Sequence, residues 1–135
     1  MSENVTSWLR ALVAGSLLLA SATVMLVTVT VTRAPAAGAL AIGACGAFGQ
    51  AYDYRSLAGA RKSALAKCEG DGCRMVATFR RGCAAFAIDF RNGCGAHGWG
   101  RAVGLGRAQN VALRGCYKDG GKECVIRTFF CDAKG

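Results

Sequence analysis

Between residues 38 and 131 the pattern of apolar and polar positions passes through the same series of periods twice. Gly38-Ala39-Leu40-Ala41-Ile42 is echoed 46 positions on by Ala84-Ala85-Phe86-Ala87-Ile88. Each run opens a strand and turns through a glycine-rich stretch into a second one, which predicts hairpins over 39–42 with 48–54 and over 84–90 with 98–103. The period then lengthens to that of a helix, with Leu57, Ala60, Ala64 and Cys68 on one stripe and, 48 positions on, Leu105, Ala108, Ala112 and Cys116 on another. Arg61, Lys62 and Lys67 fall largely on the opposite side of the first helix. Ser56 is a natural N-cap for it, whereas the second begins after Gly104, a poorer cap. Polar turns over 69–72 and 117–123 lead to last strands over 74–80 and 124–131. Met75, Ala77 and Phe79 alternate onto one face, with Ile126, Thr128 and Phe130 in the corresponding places. The pattern predicts an α+β fold made by tandem duplication of a β-β-α-β unit, its two helices packed on antiparallel sheet, with repeat one over 38–83 and repeat two over 84–131.

What precedes the repeats has a different character. Arg10 is followed by 22 residues without a charge, and then by Arg33-Ala34-Pro35-Ala36-Ala37. Ala34 and Ala36 stand at the small-residue positions a signal peptidase reads, so residues 1–36 are expected to be a cleaved signal peptide and 37–135 a single exported domain. An uncleaved anchor competes with this reading, because the segment is also long enough to span a hydrocarbon core of about 30 Å. Lipidation at Cys45, after Ile42-Gly43-Ala44, is a weaker competitor, since processing there would discard the first strand.

Export changes how the eight cysteines are read, all of which lie beyond residue 36. In an oxidising compartment they form a disulfide framework, which suits a small Ala- and Gly-rich domain with a modest core. Eight cysteines permit on the order of a hundred connectivities. The repeat narrows them. Cys68 and Cys73 flank the turn after the first helix, as Cys116 and Cys124 flank the turn after the second, so each pair is expected to staple its own helix end to the next strand. Cys83 and Cys131 open and close the strands of the second copy and suit a bridge between neighbours, which leaves Cys45 with Cys94 to tie the two copies together. A zinc site at Cys68 and Cys73 is the competing reading, disfavoured because the companion pair has different spacing and the chain has one histidine.

The formal net charge is +9, and removing residues 1–36 with Arg10, Arg33 and Glu3 leaves +8. An anionic partner (an envelope component, an anionic lipid or a host protein) would meet such a surface favourably, although a solvated Arg-rich face is the simpler reading. No nucleic-acid motif accompanies the charge, so no specific nucleic-acid partner is expected. Gly93-Cys94-Gly95-Ala96-His97-Gly98 matches the dinucleotide-binding glycine pattern, but it leads into a strand rather than a helix, and no cofactor is expected. His97 is the only histidine, and nothing in the spacing marks a nucleophile or an acid for it. No catalytic constellation and no metal site are predicted, and a small hydrolase using His97 is the alternative to a binding role. The second strands carry Tyr52 and Tyr54 in one copy and Trp99 in the other, in corresponding positions. Arg91, His97, Trp99 and Arg101, in or beside the longer glycine-rich connection, form the candidate interaction surface.

Gly38-Ala-Leu-Ala-Ile, Gln50-Ala-Tyr-Asp-Tyr, Ala64-Leu-Ala-Lys-Cys68, Cys73-Arg-Met-Val, Cys83-Ala-Ala-Phe-Ala-Ile, Gly98-Trp-Gly and the closing Phe129-Phe-Cys131 together resemble the domain of unknown function 4189, a family of small exported bacterial proteins. The likeness covers nearly all of residues 38–131 and lies in the order and spacing of motifs, none of them specific alone. It implies a disulfide-held α+β duplication with pairs at Cys68–Cys73 and Cys83–Cys131, and it brings no catalytic residue. Cys45 and Cys94 depart from the family's pattern. The expectation is a secreted or extracytoplasmic bacterial protein, basic and disulfide-rich, that acts by binding at the envelope or outside the cell.

Overall fold

A computed structural model of the chain describes residues 36–132. The expected leader lies, but for Ala36, outside these residues. Six strands and two α-helices follow in order: β1 (Ala37–Ile42), β2 (Phe48–Tyr54), α1 (Leu57–Ala66), β3 (Arg74–Phe79), β4 (Cys83–Asp89), β5 (His97–Ala102), α2 (Leu105–Lys118) and β6 (Cys124–Cys131), with a 3-10 turn at Ala44–Gly46.

The strands form two antiparallel sheets of three, ordered β2-β1-β3 and β5-β4-β6. In each, the strand that comes first in the chain lies in the centre, because its hairpin partner takes one edge and the strand after the helix takes the other. The expected antiparallel sheet is therefore divided into two. The central strands explain the division. β1 is buried at every position, and its alternate residues serve different neighbours: Leu40 and Ile42 join Ala77, Phe79, Ala84, Phe86 and Phe130 in a cluster between the sheets, while Ala37, Ala39 and Ala41 meet Ala51, Ala60 and Ala64 under α1. β4 divides likewise, Ala84 and Phe86 facing the other sheet and Cys83, Ala85 and Ala87 packing with Ala108, Ala112 and Cys116 of α2. The layers run helix, sheet, sheet, helix. Large side chains fill the middle, where Phe79 and Phe130 lie 5.6 Å apart between ring centroids, and alanines fill the two outer interfaces.

Alanine on both sides brings each helix close to its sheet. A Cβ at Gly49 would fall on the Ala64 carbonyl, and one at Gly98 would strike the α2 backbone at Ala112 and Cys116. Close packing of short side chains buries little apolar area, at about 0.8 kcal/mol per methylene. The chain supplements it covalently, with Cys68–Cys73, Cys116–Cys124, Cys83–Cys131 and Cys45–Cys94 bridges and no free cysteine. The first two join helix ends to strand starts, Cys83 and Cys131 are direct partners across β4 and β6, and Cys45–Cys94 joins the two hairpin turns. With every cysteine sulfur in a disulfide, none is left as a thiolate for zinc.

Both last strands contain a bulge, which corrects the faces expected from alternation. Leu40 pairs with Ala77 and Ala41 with Met75, so Val76 is the extra residue; Phe86 pairs with Thr128 and Ala87 with Ile126, so Arg127 is the extra one. An inserted residue reverses the alternation beyond it. Met75 accordingly packs with the alanines under α1 and Ile126 with those under α2, away from Ala77 and Phe79 and from Phe130.

The helix starts follow their caps. Ser56 Oγ accepts the Gly59 N–H at 3.0 Å, whereas Gly104 offers α2 no side-chain bond. Two buried carboxylates hold the turns of the second half. Asp89 accepts the N–H groups of Arg91 and Lys122, each at 3.0 Å, and Asp132 accepts those of Arg81 and Gly82. The Lys122 bond, followed by that from Arg91, holds the Asp89 carboxyl below its usual pKa.

Candidate functional site

β5 has two unlike faces. Gly98 and Gly100 turn toward α2, where the backbone leaves no room for a Cβ. By strict alternation His97, Trp99 and Arg101 turn the other way, spaced by about 7 Å along the strand. Three of the four residues singled out from sequence thus form one row at a sheet edge. The fourth does not join it: Arg91, in the turn before β5, is ion-paired with Glu123, whose carboxylate raises the guanidinium pKa further.

The members of the row have different surroundings. His97 donates its backbone N–H to Asp119 Oδ2 at 3.0 Å, its Nδ1 lies 3.6 Å from the same oxygen, and its ring meets Phe86 edge-on at 6.3 Å. Asp119 is the acid that spacing does not reveal. It stands at the C-cap of α2, 22 residues along the chain, and reaches His97 because α2 ends over the start of β5. Trp99 remains 39% exposed and, with His97, Lys118 and Asp119, lines an open hollow. Arg101 donates from Nη1 to the Thr78 carbonyl of β3 at 2.6 Å, which fixes its guanidinium at the crossing of the two sheets.

Beyond Arg101 a second hollow, of about 260 Å³, is lined by Phe79, Arg80, Arg81, Arg101 and Val103 among others. Arg80 and Arg81 are adjacent in sequence, but only the stacking of the sheets brings them to Arg101.

The corresponding row on β2 is differently employed. Register sets Gln50 opposite Leu40 and Trp99 opposite Phe86, and Phe48 opposite Ile42 as His97 is opposite Ile88. The place matching Trp99 therefore belongs to Gln50, not to Tyr52 or Tyr54. The β2 row packs against β6: Thr128 Oγ1 lies 2.7 Å from Gln50 Oε1, Tyr52 lies 6.0 Å from Phe130 and the Arg127 guanidinium 5.8 Å from the Phe48 ring. Tyr54 turns to the helix side and donates to Ser63 Oγ at 2.6 Å.

What the chain resembles agrees with this architecture. The family model described as Domain of unknown function (DUF4189) matches residues 37–131, and the chain belongs to that family. Among solved structures it is similar to the NMR structure of Rv1813c from Mycobacterium tuberculosis, at 25% identity over 77% of this chain and 81% of that one, with a TM-score of 0.55. No curated protein matches the chain.

Proposed function

We propose that this member of the family is an exported, extracytoplasmic bacterial protein that works by binding, using the exposed row on β5 and the arginines beside it to hold an anionic component of the cell envelope. The reading extends to descent by tandem duplication, supported by the equal strand orders and by bulges at matching places in β3 and β6. Four disulfides favour an oxidising compartment, and no helix of the described residues is long and apolar enough to cross a membrane.

One observation carries the reading. Equivalent rows stand on β2 and β5, yet at the matching middle place Gln50 bonds to Thr128 of β6 while Trp99 stays exposed, with Arg101 next to it in the row lining a hollow shared with Arg80 and Arg81. An edge occupied by an aromatic ring and guanidinium groups suits recognition of an anionic surface. The His97–Asp119 pair favours a second reading, as a small hydrolase, because a carboxylate beside imidazole can orient it as a base. The hollow at that pair is open and lined by His97, Gly98, Trp99, Gly115, Lys118 and Asp119, and the exposed Trp99 with the arginines farther along β5 favours binding over it.

The test is fractionation of a bacterial host producing the full chain, followed by sedimentation of the released protein with isolated envelopes. Export and co-sedimentation that weakens in Trp99→Ala support the proposal. Retention in the cytoplasm, or co-sedimentation indifferent to Trp99→Ala and to salt, contradicts it.

A further inference from the structure

The turn between β3 and β4 is built with more care than a solvated connection needs. Arg81 occupies the left-handed region at φ 54°, which costs a non-glycine residue about 1 kcal/mol. Its N–H and that of Gly82 are both taken by Asp132, whose side chain is only 1% exposed, and the Asp132 N–H returns to the Gly82 carbonyl at 3.0 Å. A Cβ at Gly82 would come within 2.9 Å of the Ala102 carbonyl, so the turn lies directly against the end of β5. The Cys83–Cys131 bridge holds the residues next to both partners. These restraints set Arg80 and Arg81 on the wall of the hollow that Arg101 also lines, with Arg101 itself held on the Thr78 carbonyl.

The electrostatic balance of this hollow is one-sided. Its ionisable lining residues are Arg80, Arg81 and Arg101, and among the described residues no carboxylate is ion-paired with any of them. The nearby carboxylate, Asp132, is spent on main-chain N–H groups and faces the turn. Three arginines lining one small hollow gather like charge there, which a bound anion would offset. Their planar forks match the tetrahedral oxygens of phosphate two at a time, which an ammonium group cannot do.

We infer that the Arg80–Arg81–Arg101 hollow is a binding site for a phosphate group, carried either on a lipid headgroup or by a soluble phosphate. Val103, 78% exposed at its rim, offers an apolar contact to the rest of such a lipid. The inference deepens the proposed binding role by naming the chemistry of its partner, and it rests on that reading.

The experiment measures binding of inorganic phosphate to the full chain by calorimetry at near-physiological salt, and flotation with neutral vesicles containing or lacking phosphatidic acid. Saturable phosphate binding is expected, weakened roughly tenfold in Arg101→Gln and again in Arg80→Gln/Arg81→Gln. It should be unchanged in Arg61→Gln/Lys62→Gln, which removes equal charge from exposed α1. Arg101→Lys should bind more weakly than wild type despite its retained charge. Flotation only with phosphatidic acid, competed by phosphate, identifies the lipid source; phosphate binding without flotation identifies the soluble one, and either supports the site. Absence of both, or equal loss in the α1 control, overturns it. Envelope binding that survives the arginine variants but fails in Trp99→Ala would discard the hollow and retain the broader role.

Discussion

The halves formed by residues 37–79 and 83–131 share a strand order and a helix position but differ in what their hairpin edges do. In the first, the β2 row meets β6 through the Gln50–Thr128 contact and the Tyr52–Phe130 ring pair, with Tyr52 still half exposed. In the second, the matching β5 row holds His97, Trp99 and Arg101, and its inward positions are glycines where β2 has Gly49 and Ala51. The second half also has buried Asp89 and a strand-to-strand disulfide, and buried Asp132 directly follows its last strand. Much of the added restraint lies around the β5 edge. A binding surface requires this arrangement, because side chains that do not pack must be positioned by the backbone beneath them.

The largest expected effect lies in the unequal bridges. Replacing Cys83 and Cys131 together by serine opens a loop of 48 residues and should cost about 4 kcal/mol, against about 2 kcal/mol for Cys68 and Cys73. Urea unfolding of the two double variants checks the order, and equal losses would break the claim that the second half is the more strongly tied.

Next come the helix contacts. Gly100→Ala should destabilise the protein by about 1 to 3 kcal/mol even though the matching β2 position is Ala51, because α2 lies closer to its strand there. Thermal unfolding with no shift in midpoint would mean that α2 can move outward freely.

Asp89 sharpens the comparison through pH. Its folded pKa lies below the unfolded value of about 4, so its contribution is present above that value and is lost as pH falls through the folded one. Asp89→Asn should lower stability at neutral pH and flatten the acid limb of the stability profile. An unaltered limb would assign the acid sensitivity to other carboxylates.

The smallest effects concern the caps. Ser56→Ala should cost about 1 kcal/mol, whereas Gly104→Ser should gain a few tenths. Loss in both variants would show that the α2 start is not the open-ended one.

The strands, helices and Ser56 cap could be read from sequence because each has a local cause, a period or a side chain three residues from its partner. The separation into two sheets could not. A central strand buried on both faces, such as β1, reads as one apolar run whether a helix or another sheet covers it. The bulges at Val76 and Arg127 were equally silent, since one extra residue leaves the composition of a strand intact while turning Met75 and Ile126 around. For the candidate site, the β5 row follows from alternation alone. Its partners do not: Asp119 reaches His97 through the end of α2, and Arg80 and Arg81 reach Arg101 only when the two sheets stack.

The central claim is that β5 and its neighbouring turn, but not β2, meet the partner. Residue-resolved amide hydrogen exchange of the full chain, with and without isolated anionic envelope, tests it most directly. New protection at residues 80–82 and 97–103 with none at 48–54 is the predicted result, and protection centred on 48–54, or shared equally by both edges, would contradict it.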